Sequence, residues 1–372
     1  MVRPSPDRVF VGLAFGLLAI GLVMVLSASG PIGHQKFGDG LYFFRHQLLF
    51  GFLPGLALFL ILKRIDYRIY RRYWLFFLVV SLVLLMLVFV PGLAGDWSQA
   101  RSWIRVFGVS FQPVEAVKLT FLIFIAGWFD HLGRENLSDL RRGFLPFLAV
   151  LGAVTLLVGL QPDFGSLAVI VCSVTVAWFV AGAAWSHLVG LVTFGMAGLF
   201  LAMKTAPYRA DRLLTFLHPE LDPLGIGYHI NQAYLAIGSG GWFGLGLGHS
   251  AQKRLYLPES FGDSVFAVMA EEFGFVMTLA FLAVLVAVLW RILRVSSAAP
   301  DGFGRILAAG FFGWIFFQSV FNIGSMLGLL PITGLPLPFV SYGGTSLAIL
   351  MAALGVVANI SSGAGTCRSL SR

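Results

Sequence analysis

Charge is scarce in this chain. Only 11% of its 372 residues are Asp, Glu, Lys or Arg, against roughly 25% in a globular domain, so the polar surface of a water-soluble fold is missing. Cysteine is nearly absent too: Cys172 sits inside an apolar run and Cys367 near the C-terminus, which argues against a disulfide framework. The histidines, His34, His46, His131, His187, His218, His229 and His249, are scattered without ligand spacing, so no metal motif is present. There is no P-loop, and the glycine-rich run Gly238 to Gly248 does not follow a strand, which excludes a dinucleotide fingerprint. The net charge of +8 is spread along the chain, and no nucleic-acid partner is expected.

What the sequence does hold is apolar length. Hydrophobic residues make up 58% of it, in successive runs of roughly 18 to 25 residues, each able to cross about 30 Å of hydrocarbon as a helix. Runs this long exclude the alternating strands of a barrel, the other architecture a bilayer allows. The expected fold is an all-α polytopic membrane protein occupying 1–372 as one domain. Spans are expected near 9–28, 46–62, 74–92, 113–130, 144–161, 164–183, 187–205, 264–290, 306–328 and 340–360. The first run exceeds the roughly 7–15 apolar residues of a signal peptide, so it reads as an uncleaved span.

Basic residues set the orientation. Arg3 and Arg8, the cluster Lys63, Arg64, Arg68, Arg71 and Arg72, then Arg134, Arg141, Arg142, Arg291, Arg294 and Arg305 place both termini in the cytoplasm, with 361–372 a short cytoplasmic tail. The exceptions carry information. Arg101 and Arg105 flank Trp103 in an outer turn, and Lys204, Arg209, Arg212, Lys253 and Arg254 lie in or beside 206–262, the long extracytoplasmic segment between spans seven and eight. Cations on the disfavoured side suit an anionic ligand; snorkelling to outer-leaflet phosphates is the bland alternative.

Carboxylates gather at the same face. Asp263 stands where the long outer segment meets the eighth span, either capping that helix or serving as a general base at the mouth of the bundle. Glu271 and Glu272 follow on the same helix, turned away from Asp263, with polar partners such as Gln318 or Asn322 within expectation. Glu115 and Lys118 are neighbours at i, i+3, a structural ion pair by default. Asp163, in Gln161-Pro162-Asp163, either caps the next helix or lines the outer cavity.

Several segments resemble one family. They are Val23 to Ser29; Ser102-Trp103-Ile104 with Ser110 to Lys118; Gln161-Pro162-Asp163; Asp222-Pro223-Leu224-Gly225; Ala236 to Gly241; Leu257-Pro258-Glu259; and Leu330 to Gly344, including Pro338-Phe339-Val340-Ser341-Tyr342-Gly343-Gly344. In order and over nearly the whole chain, they resemble the SEDS proteins (shape, elongation, division and sporulation), of which FtsW and RodA are types. The stretch Gly246 to Lys253 is similar to the division type, and Leu335 to Pro338 leans toward the elongation type.

That resemblance implies a ten-helix glycosyltransferase that polymerises lipid II while displacing undecaprenyl diphosphate, in division or elongation, beside a class B penicillin-binding protein. It carries the catalytic aspartate onto Asp263 and the paired Glu and Lys onto Glu115 and Lys118, with Asp163 the acid of the Gln-Pro-Asp turn. Arg101, Arg105, Arg209 and Arg212 are expected at the diphosphate, with Asp163, Lys118 and Glu115 as further substrate-binding candidates, and Glu271, Glu272, Ser341 and Tyr342 in structural or partner-helix roles. Many members have His-Thr-Asp-Phe where this chain has Phe261-Gly262-Asp263-Ser264, so the roles of the flanking residues do not transfer. No cofactor is demanded, and a divalent cation such as Mg²⁺ stays open. A lipid II flippase and a non-catalytic scaffold are the rival readings.

Overall fold

The structure, a computed structural model, describes residues 6–92, 102–106, 109–204, 216, 225 and 227–370. Its helices are α1 (Arg8–Phe37), α2 (Tyr42–Leu62), the short α3 (Arg68–Arg72), α4 (Trp74–Leu87), α5 (Pro113–Leu137), α6 (Leu140–Gly159), α7 (Phe164–Ala181), α8 (Trp185–Lys204), α9 (Tyr228–Ser239), α10 (Val265–Ala298), α11 (Gly302–Met326) and α12 (Gly344–Leu370). Among the described residues, eight helices are long and apolar enough to cross a membrane. The apolar helices α4 and α8 stand where the third and seventh spans were expected. Several helices outrun their hydropathy signal; α5, for one, continues past its apolar run to Arg134–Leu137, beyond a kink at Gly133 (φ 71°).

Burial separates the centre of the bundle from its rim. Over their most apolar windows α5, α11 and α12 are 61%, 67% and 72% buried, against 22% for α2. On α4, Leu75, Phe76, Val79, Val83 and Met86 point outward, a face that only hydrocarbon solvates well. Between helices, where lipid offers no hydrophobic drive, close packing holds contacts together. Gly355 of α12 lies against the backbone of Phe59 on α2, with no room for a Cβ.

A small hairpin interrupts the helices. Strands β1 (Ile104–Val106) and β2 (Val109–Phe111) pair antiparallel, with Arg105 opposite Ser110. Two strands of three residues leave no period-2 signal in the sequence, so the sequence reading treats this region as an outer turn.

The glycine-rich run has a structural use. Helix α10 breaks at Gly274 (φ 72°), freeing two carbonyls and two N–H groups. The segment 241–246 lies in that gap and satisfies all four. Leu245 and Gly246 donate to the carbonyls of Glu271 and Glu272 (3.0 Å each), and Phe275 and Val276 donate to those of Gly241 and Trp242 (2.9 and 3.1 Å). With its backbone satisfied, this part of the long segment turns Trp242, Phe243, Leu245, Leu247, Leu255 and Tyr256 outward, a face suited to lipid rather than water.

Candidate active site

At one end of the bundle, five stretches distant in sequence enclose a cavity of about 1290 Å³. Gln112 and Glu115 open α5, Pro162–Ser166 make the α6–α7 turn, and Glu259–Asp263 precede α10. Leu330–Pro336 follow α11, and Tyr342–Ser346 open α12. Phe43, His46 and Phe50 of α2 form an aromatic flank beside Phe261 and Tyr342. One wall carries acids and amides and the other rings and aliphatic chains, so the space suits a molecule with a polar head and an apolar tail.

The polar wall is built from below by two residues of α11 one turn apart. Asn322 donates to the carbonyls of Asp263 (2.6 Å) and Leu335 (2.7 Å), so one amide joins the catalytic candidate to the loop after α11. Gln318 donates to the Pro336 carbonyl (2.8 Å) and accepts from Lys118 (2.7 Å) and Trp314 (2.8 Å). Lys118 is fully buried and pairs with Glu115 at 2.7 Å, its ammonium 5.3 Å from the centroid of the Trp314 ring. Sequence reasoning made this pair a structural ion pair by default, with both members also candidates at the substrate. The structure puts Glu115 on the cavity wall, while Lys118 is not among the lining residues. An ammonium already engaged by two oxygens and a ring holds the carboxylate rather than reaching for a ligand.

Asp163 fulfils both expectations for it. It caps α7 by accepting from the Ser166 N–H (3.0 Å), accepts from Gln112 (3.2 Å), and lines the cavity. Burial raises its pKa, opposed in part by the Ser166 hydrogen bonds. Asp263 is not the cap of α10; Ser264 holds that position, without a side-chain cap bond. Asp263 lines the cavity instead. Burial, and then the neighbouring Glu259 carboxylate, push its pKa up to about 7, against the pull of the Ser264 hydrogen bond. Among the described residues no ion pair engages Asp263, Asp163 or Glu259, whereas at the opposite end Asp7, Asp130 and Asp301 pair with Arg291, Arg71 and Arg68.

Other expected residues are redistributed. Glu271 and Glu272 do not use Gln318 or Asn322. Glu271 accepts from Ser250 (2.5 Å) and the Ala251 N–H (2.9 Å), and Glu272 from Lys253 (2.6 Å) and Ser27 (2.8 Å). Buried acids on the far side of α10 thus bind the loop that splices into that helix. Lys253, counted from sequence among the outer cations, is consumed there. Arg105 is exposed on β1 and is not among the cavity-lining residues, where Trp103 and Lys36 do appear. Arg101, Arg209 and Arg212 lie outside the described residues. Ser341 is structural, accepting from the Leu337 N–H (2.7 Å). Tyr342 belongs to the cavity, its hydroxyl 2.9 Å from His46 Nδ1.

Sequence reasoning missed His46, Gln47 and His229. Gln47 is buried and joins α2 to the Gly343 N–H (3.0 Å), and His229 lies 2.6 Å from Ser264. Both contacts link residues far apart in sequence and leave no local pattern. Among the described residues, no three His, Cys, Asp or Glu side chains group closely enough for a metal ion.

Comparison with known proteins places these features in company. The cell cycle protein family covering FtsW, RodA and SpoVE matches residues 7–365. Stage V sporulation protein E of Bacillus subtilis is 40% identical over 359 residues, covering 96% of this chain and 98% of its own. A probable peptidoglycan glycosyltransferase FtsW of Trichlorobacter lovleyi is 38% identical over 357 residues, 96% and 93% of the two chains. Among solved structures, a chain from work on the coordination of polymerization and crosslinking by a peptidoglycan synthase complex superposes with a TM-score of 0.78 at 30% identity, covering 96% and 97%. Rod shape determining protein RodA of Thermus thermophilus does so at 0.70 and 29%, covering 96% of each.

Proposed function

Because this chain belongs to the FtsW, RodA and SpoVE family, we propose that it is a membrane-embedded peptidoglycan glycosyltransferase whose general base is Asp263. The reaction joins the 4-hydroxyl of an incoming lipid II to the anomeric carbon of a growing glycan and releases undecaprenyl diphosphate. A sugar hydroxyl is a poor nucleophile, and general-base help is worth roughly 10²–10⁴-fold. The observation that carries the reading is position. Asp263 stands on the wall of a two-sided cavity, its backbone held by Asn322, its carboxyl poised to titrate at about 7.

The apolar flank around Phe43 and Phe50 suits the polyprenyl tails and the polar wall suits the sugars. The departing diphosphate is met by basic residues of the outer segments, with Arg101, Arg209 and Arg212 the nominees, since guanidinium suits phosphate oxygens. An α-linked donor and a β-1,4 product require inversion, which direct displacement gives. Ten spans with both termini in the cytoplasm put the cavity on the outer face, where a class B penicillin-binding protein cross-links the product. The relative solved within a peptidoglycan synthase complex supports such a partner.

The test is Asp263→Asn, which nearly preserves shape and removes the base. Purified with its partner and supplied with lipid II, the variant is expected to make no glycan strand while still folding and co-purifying. Strand synthesis at the wild-type rate would remove Asp263 from the mechanism. Loss of headgroup translocation in vesicles, with strand synthesis intact, would favour a flippase.

A further inference from the structure

A base that accepts a proton at every turnover must lose it before the next, and a cavity filled by two lipid-linked sugars leaves little water to take it. The structure offers another way out. The Ser264 hydroxyl touches three groups: the Asp263 carboxylate (3.3 Å), the Pro258 carbonyl (2.9 Å) and His229 Nε2 (2.6 Å). The carbonyl can only accept, and the hydroxyl has one proton to give. With that hydrogen on the carbonyl, serving all three contacts requires both Asp263 and His229 Nε2 to carry protons; with it on either side chain, the carbonyl contact is given up, so the protonation of the two is tied through a single hydrogen.

The path also has a direction. Asp263 lines the cavity, and neither Ser264 nor His229 does. Ser264 is wholly buried, while the His229 ring, in the first turn of α9, is only partly so. The three residues thus lead from the cavity wall, through a sealed hydroxyl, to a partly exposed ring that is not on that wall.

We infer that Ser264 and His229 form a proton outlet for Asp263, a relay that resets the base without admitting water to the substrate cavity. The inference rests on the reading of Asp263 as base. In the chemical step the acceptor O–H breaks and its proton passes to Asp263. The new C–O bond forms at the donor anomeric carbon, and the old one breaks with its electron pair leaving on the diphosphate. Asp263 then donates to Ser264 Oγ as the Ser264 proton moves to His229 Nε2, giving an imidazolium that discharges to bulk water. Burial keeps the His229 pKa below its ordinary value, so the ring passes the proton on rather than storing it. His229 and Ser264 are positioning and relay residues, since they act through Asp263. The other ionisable groups at the site are Glu259 beside Asp263, and Glu115, Asp163, His46, Lys36 and Tyr342 elsewhere on the cavity wall. The facing stretch Leu330–Pro336 and the α11 residues Gln318 and Asn322 contribute no titratable group.

The experiment measures steady-state polymerisation of lipid II by the partner-bound protein carrying His229→Gln, Ser264→Ala, both, or His229→Ala. Gln keeps a hydrogen-bond donor for Ser264 but cannot accept a proton. Expected are losses in kcat of about tenfold for either single variant, a share of what general-base help supplies, with KM unchanged. The double variant should lose no more than the singles, because both cut one path. Free imidazole should restore His229→Ala in proportion to its unprotonated fraction. Wild-type kcat and pH profile in His229→Gln would overturn the outlet, as would multiplying losses in the double variant, or a folded, partner-bound His229→Ala that imidazole leaves inactive. If His229→Ala does not fold, the first two outcomes decide. An active Asp263→Asn would sink the base itself, whereas an inactive Asp263→Asn beside a fully active His229→Gln sinks only the relay.

Discussion

Glu259 sits four residues before Asp263 and shares its cavity. Its charge is the second cause, after burial, of the elevated Asp263 pKa. A raised carboxylate pKa means the base form is populated only above about 7, so polymerisation should fall about tenfold per pH unit below that point and level off above it. Replacing Glu259 with Gln removes the repulsion and lowers the Asp263 pKa. The acid limb of the kcat–pH profile should then move to lower pH, leaving the plateau at high pH within a few-fold of wild type. An unmoved limb would mean that another group sets it. Lys118 illustrates the opposite economy. Fully buried and paired, it is a charge whose removal would strand Glu115, and that dependence is why the pair is read as scaffold beneath the site.

Helix α10 carries the candidate site at its start and a break at its tenth residue, Gly274. The break matters because Glu271 and Glu272, just before it, hold Ser250 and Lys253 of the loop leading to Asp263. Splicing the segment 241–246 into the gap is therefore part of how the stretch carrying Asp263 is positioned. Two glycines of the same run separate this effect from helix propensity. Gly244 has φ 78° and lies against the Glu272 carbonyl, while Gly238 is helical with open space around it. Gly244→Ala should destabilise by at least the roughly 1–2 kcal/mol of a left-handed backbone, with a lowered melting temperature in detergent. Gly238→Ala should leave the melting temperature equal or raise it, since Ala is the better helix former by about 1 kcal/mol. Equal behaviour of the two variants would contradict the splice.

For the whole molecule the separation of its two ends is decisive. Asp7, Asp130 and Asp301 at one end pair with arginines, whereas Asp163, Glu259 and Asp263 at the other line the cavity. The proposed orientation, with both termini in the cytoplasm, predicts that single cysteines in a background lacking Cys172 and Cys367 label asymmetrically. A cysteine replacing Lys36, exposed and on the cavity wall, should react with a membrane-impermeant maleimide on intact spheroplasts. One replacing Arg68, exposed and paired with Asp301 at the other end, should react only after permeabilisation. The reverse pattern would put Asp263 on the cytoplasmic side, away from the outer face where the proposed polymerisation takes place.

The sequence by itself determined that the chain lives in a bilayer, because hydrophobic length and missing charge are sums over local residues and survive any folding. It also singled out Asp263, Glu115 and Asp163, whose motifs are contiguous. What only tertiary structure decided are the relations across long separations: Asn322 reaching Asp263, Gln47 reaching Gly343, His229 reaching Ser264, and Lys253 withdrawn from the outer cations to neutralise Glu272. Buried polar groups must find partners wherever the fold brings them, and a one-dimensional pattern records which groups need a partner but not which one they meet.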